Sequence, residues 1–152
     1  MTEYFLEDFE PGSVLETPTF RLTREQLVNF AQEYDPRPFH LDEKKARDSV
    51  FGGLVASGFQ TAALAWKLGL ESGYFNSCAM AGIGIDNLRW LRPVRVGDSI
   101  KCQMTTLENR PSRSKTDRGV AVVRYTMLNQ NDEVVLTLDL LQMLRRKPQA
   151  GS

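Results

Sequence analysis

Apolar side chains return at Leu27, Phe30, Ala31 and Tyr34 within TREQLVNFAQEY, residues 23–34. That i, i+3, i+4, i+7 spacing draws one face of an α-helix. Thr23 can cap its start, with Gln26 three residues on as the other half of a capping box. The helix is expected to end by Asp35, because Pro36 disfavours helical backbone in the residue before it. The DPRPFH stretch that follows is expected to be non-helical. Residues 42–48, DEKKARD, are expected to form a short polar helix.

A second helix is predicted from Phe59 to about Leu70, after a turn at Gly52-Gly53. Ser57 is placed as its N-cap and Gln60 as the capping-box partner. Ala62, Ala63, Leu64, Ala65, Trp66 and Leu68 leave it almost no polar face, so it is expected to be buried nearly all round. Beyond residue 80 the pattern turns to strands. AGIGIDNLRWLRPV, DSIKCQMTTLEN, GVAVVRYTMLNQ and EVVLTLDLLQMLRR are β-rich and bounded by turn signals. Turns are predicted at Val96-Gly97-Asp98 and at residues 129–132, the latter joining the last two strands as a hairpin. Residues 109–118, NRPSRSKTDR, read as a polar basic loop.

These elements predict an α+β fold in which an antiparallel sheet wraps one apolar helix. The sheet would keep an exposed edge, a liability that pairing two copies removes. A single domain is expected over residues 1–148, with a disordered tail at 149–152. Apolar residues are 41% of the chain, enough for a core.

Charge narrows the partners. Lysines and arginines number 19, as do aspartates and glutamates, so no non-specific attraction to nucleic acid or membrane is expected. No run of eighteen apolar residues spans a bilayer. The acidic start, MTEYFLEDFEPG, lacks the features of a signal peptide. Cys78 and Cys102 form no framework and read as free thiols in a reducing compartment. The expected setting is cytoplasmic.

The only histidine, His40, lies five residues from Asp35 with Pro36 and Pro38 between them. Held together in a partly dry cleft, an Asp and a His can share a water, one taking a proton and one giving it. The prolines restrict the linker. By spacing alone a structural or surface role for the pair is the commoner outcome. Ser57-Gly58 heads the apolar helix, where unpaired N–H groups can hold a carbonyl oxygen that gains charge. Simple capping is the competing reading. One histidine and two separated cysteines argue against a metal, and no nucleophile elbow or phosphate-cradling loop is present.

Together, DPRPFH, FGGLVASG and LRPVRVGD in this order resemble the MaoC-like dehydratase family, which includes the (R)-specific enoyl-CoA hydratases. The resemblance runs from about residue 8 to 146. It implies a hot-dog dimer that acts on acyl-CoA thioesters with no cofactor, coenzyme A being part of the substrate. By position, Asp35 and His40 match the catalytic pair, with His40 expected as base and Asp35 as acid. Gly58 matches the glycine whose N–H holds the thioester oxygen. The implied reaction is hydration of a trans-2-enoyl-CoA, or the reverse. Two positions depart from the pattern. Arg37 stands where the family has asparagine and can reach a carboxylate on an acyl group; Ser57 stands where it has histidine. Trp66 or Tyr74 can shorten the acyl pocket, though core packing is the commoner reading of each, and Arg89, Arg92 and the 110–118 loop are candidates for coenzyme A contacts. The alternatives are a hot-dog thioesterase, or a non-catalytic acyl-CoA-binding protein or subunit of a heteromeric dehydratase.

Overall fold

A computed structural model describes residues 2–149. The disordered tail expected from residue 149 falls mainly on 150–152, outside the described residues.

The chain opens with a 3-10 turn, Leu6–Asp8, and two short strands, β1 (Val14–Glu16) and β2 (Phe20–Arg21). Sequence reading missed all three, because runs of two or three residues carry no period. Helix α1 is Arg24–Tyr34, with Thr23 and Gln26 closing the capping box. Leu27 and Ala31 are buried, but Tyr34 is 67% exposed, so the expected four-residue face is narrower. The linker was expected to be non-helical, but Pro38–Leu41 forms a one-turn helix, α2. Pro38 sits at its first position, where the ring's fixed φ suits a helix and the missing N–H costs nothing. Helix α3, Glu43–Arg47, follows with Asp42 as cap.

Helix α4 is Gly58–Glu71. Strands β3 (Ala79–Trp90), β4 (Ser99–Pro111), β5 (Arg118–Leu128) and β6 (Val134–Arg145) complete the chain. All pair antiparallel in the order β1-β4-β5-β6-β3, with β2 also on β4. Strand β4 runs through Pro111, so the basic loop shrinks to about residues 112–117.

Helix α4 lies on one face of this sheet. Leu64, Ala65 and Leu68 join Cys102, Met104, Tyr125, Met127, Leu136 and Leu138 in the core. The arrangement is the expected hot-dog fold. The helix is not buried all round, however. Phe59, Ala63, Trp66 and Leu70 stay exposed along one stripe. A sheet reaches only one side of a helix, and among the described residues nothing covers the other. Both cysteines are free and buried. Burial pushes the Cys78 thiol up to about 11 and the Cys102 thiol up to about 12, so neither is a ready nucleophile.

Candidate active site

Helix α1 ends at Asp35, whose N–H donates to the Ala31 carbonyl at 2.9 Å. The chain then folds back on itself: Arg37 N–H bonds the Asp35 carbonyl at 2.8 Å and His40 N–H the Arg37 carbonyl at 3.0 Å. This knot places His40 inside the protein, 3% exposed.

The segment before α4 locks onto the knot. Val55 N–H donates to the Phe39 carbonyl at 3.2 Å. His40 Nδ1 lies 2.6 Å from the Val55 carbonyl. A carbonyl only accepts, so Nδ1 carries the proton and a neutral ring keeps its lone pair on Nε2. Nε2 lies 3.3 Å from Asp35 Oδ2. That is within ion-pair range but out of line for a hydrogen bond, and Nε2 is buried with no other partner. An unsatisfied buried nitrogen is costly in a fold, which makes Nε2 a candidate functional atom.

Three donors converge on the Asp35 carboxylate. Arg37 grips it with Nε on Oδ1 at 2.8 Å and Nη2 on Oδ2 at 3.0 Å. The Ser57 hydroxyl donates to Oδ2 at 2.7 Å and accepts from Phe59 N–H at 3.2 Å. Arg37's hydrogen bonds chiefly, then those of Ser57, outweigh burial and hold the carboxyl down at about 2. Ser57 is thus more than a helix cap: it ties α4 to Asp35. Spacing gave no sign of that bond, 22 residues apart in the chain. Arg37 spends its fork on Asp35 rather than standing free for a substrate carboxylate.

A half-open pocket of about 500 Å³ lies beside His40. Phe39, Phe51, Phe59, Trp90, Leu91 and Val94 make its wall apolar, and Arg37 and Arg92 also line it. Gly58, the first residue of α4, is in the wall too. Its N–H has no preceding helical turn to bond to. Among the sequence candidates, His40, Gly58, Arg37 and Arg92 therefore share one cleft, with Asp35 and Ser57 bonded behind it. Trp66, Tyr74, Arg89 and the 110–118 loop do not line it. Trp90 does, and was missed. Its signal was weak: a tryptophan at a strand end, directly before LRPV.

The site is thus a buried Asp/His pair beside an apolar pocket, carried on a hot-dog fold. Residues 8–127 match the family described as the MaoC like domain. The chain belongs to that family. It is 30% identical to the uncharacterized protein YdeM of Bacillus subtilis over 93% of this chain and 99% of that one. A MaoC-like dehydratase from Rhodospirillum rubrum superposes with a TM-score of 0.87 at 37% identity, covering 95% of this chain and 99% of that one. The (R)-hydratase PhaJ1 from Pseudomonas aeruginosa, 24% identical, shares the fold with a TM-score of 0.74 over 95% of this chain and 88% of that one.

Proposed function

We propose that the protein hydrates trans-2-enoyl-CoA to 3-hydroxyacyl-CoA, or runs the reverse dehydration, with (R) stereochemistry by family likeness. The observation that carries the reading is the His40 Nε2 lone pair, buried against Asp35 at the base of an apolar pocket that also contains Gly58.

The thioester carbonyl oxygen accepts from Gly58 N–H, near the positive end of α4. A water on the pocket side hydrogen-bonds to both His40 Nε2 and the Asp35 carboxylate. His40 Nε2 takes one of its protons as the oxygen bonds to C3. The C2=C3 electron pair moves toward the carbonyl, giving an enolate at Gly58. The proton then passes from Nε2 to C2, and the carbonyl re-forms. Asp35 orients the water and offsets the charge on the imidazolium. In this reading Asp35 stays ionised, its carboxyl held down at about 2 chiefly by Arg37, and the proton for C2 comes from His40. No cofactor enters these steps. The active form is taken to be a homodimer in the cytoplasm, built from one domain per chain.

The test is crotonyl-CoA and its enoyl absorbance. Wild type is expected to lose that absorbance without releasing free thiol. His40→Ala and Asp35→Asn are expected to be folded and slower by about 100-fold or more. Release of free thiol would instead mark a thioesterase. Inertness toward a panel of straight, branched and carboxylated enoyl-CoAs would leave a binding protein or a subunit that needs a partner chain.

A further inference from the structure

The chain has two tryptophans, and each packs on a glycine of the opposite element. Trp66 of α4 lies on Gly82 of β3, and Trp90 of β3 lies on Gly58 of α4. A Cβ on Gly58 would collide with Cε2, Nε1 and Cζ2 of Trp90. Only Trp90 of the two lines the pocket. Its indole N–H donates to the Gly58 carbonyl at 2.9 Å, and Phe59 meets it edge-on at 5.9 Å. At the other end of the same segment, Ala56 N–H donates to the Val94 carbonyl at 2.8 Å. Residues 90–94 therefore hold residues 56–58 from both ends. Trp90 remains 49% exposed. Its one polar atom is already bonded, so what it offers a ligand is apolar ring.

We propose that Trp90 is the wall of the acyl pocket, fixing the position of Gly58 and limiting the size of the acyl group admitted. The proposal rests on the acyl-CoA reading above. An amide at the head of a helix helps a developing oxyanion only if its place is fixed, and small displacements cost rate steeply. The indole does that through its bond to Gly58. A rigid double ring beside the reacting carbons also meets long or branched chains before short ones. In apolar pockets each methylene changes selectivity by roughly 10–200-fold.

Trp66→Phe leaves Trp90 as the sole tryptophan. Butyryl-CoA, saturated and so not hydratable, is titrated into that variant, with calorimetry in parallel. Trp90 emission is expected to change with the same midpoint as the heat. In Trp90→Leu the kcat/KM ratio for trans-2-octenoyl-CoA over crotonyl-CoA is expected to rise about tenfold or more. Trp90→Phe keeps a ring but loses the N–H. Its kcat is expected to fall with KM nearly unchanged. Heat of binding without an emission change, or an unchanged ratio in a folded Trp90→Leu, overturns the proposal. If Trp90→Leu does not fold, an unchanged kcat in Trp90→Phe does the same. If wild type gives no heat with butyryl-CoA and turns over no enoyl-CoA, the acyl-CoA reading itself falls and Trp90's role falls with it.

Discussion

At the scale of single residues, the site turns on which groups are charged. Arg37 grips Asp35 with two hydrogen bonds and Ser57 adds a third, so the carboxylate stays ionised far into acid. Arg37→Asn removes the largest of these effects. The Asp35 carboxyl should then titrate higher, toward its ordinary value, as read by carbon NMR of the labelled side chain. Stability should respond with a definite sign. A carboxyl depressed in the fold stabilises it at pH values above the unfolded pKa, and that stability is lost as pH falls through the folded pKa. Wild type should therefore lose stability between the ordinary value of 3.8 and about 2, whereas Arg37→Asn should lose less of it in that window. Urea midpoints measured across it, with identical slopes for both proteins, would contradict this. Much of the site was legible in the sequence: Asp35, His40, Ser57 and Gly58 all carried local signals. The roles were not. Asp35's charge follows from the Arg37 fork and the Ser57 bond, and a side-chain bond across 22 residues leaves no periodic trace.

At the scale of elements, what mattered was where helices begin and end. Helix α1 delivers Asp35 at its last turn, so its register is set at the other end by the Thr23–Gln26 capping box, with bonds of 3.2 and 3.0 Å. Thr23→Ala should cost about 1 kcal/mol of stability. Thr23 is 12 positions ahead of Asp35 and touches nothing in the pocket, so folded Thr23→Ala should keep its hydration rate. A urea midpoint equal to wild type would show the cap to be idle. Helix α1 was readable because its cap and period agree; α4 was readable from Ser57 and an apolar run, but the expected capping box is absent, since Gln60 Nε2 donates to the Gln26 carbonyl instead. The one-turn α2 was not, since a proline rule that forbids helix at Asp35 permits it at Pro38. Strands β1 and β2 were too short to show alternation, and the pairing that defines them lies about 80–90 residues away on β4.

At the scale of the whole molecule, two unpartnered features lie side by side. Strand β3 is one edge of the sheet and its longest edge strand, 12 residues, or roughly 40 Å of edge. Ile83 and Ile85 on it are exposed, at 51% and 46%. Next to them runs the outer stripe of α4, Phe59, Ala63, Trp66 and Leu70, joined to β3 by the Trp66–Gly82 and Trp90–Gly58 contacts. An edge of this length with apolar side chains is an aggregation hazard in a lone chain. Pairing β3 with its copy across a two-fold axis removes it, and the same patch then serves both chains. Wild type should therefore run at twice the chain mass by light scattering. Ile83→Glu/Ile85→Glu puts like charges opposite each other in that interface and should shift the mass toward one chain. Because β3 ends in Trp90, the monomer should also lose hydration, even though neither isoleucine lines the pocket. A double variant that stays dimeric, or a monomer that stays fully active, would separate the edge strand from the function.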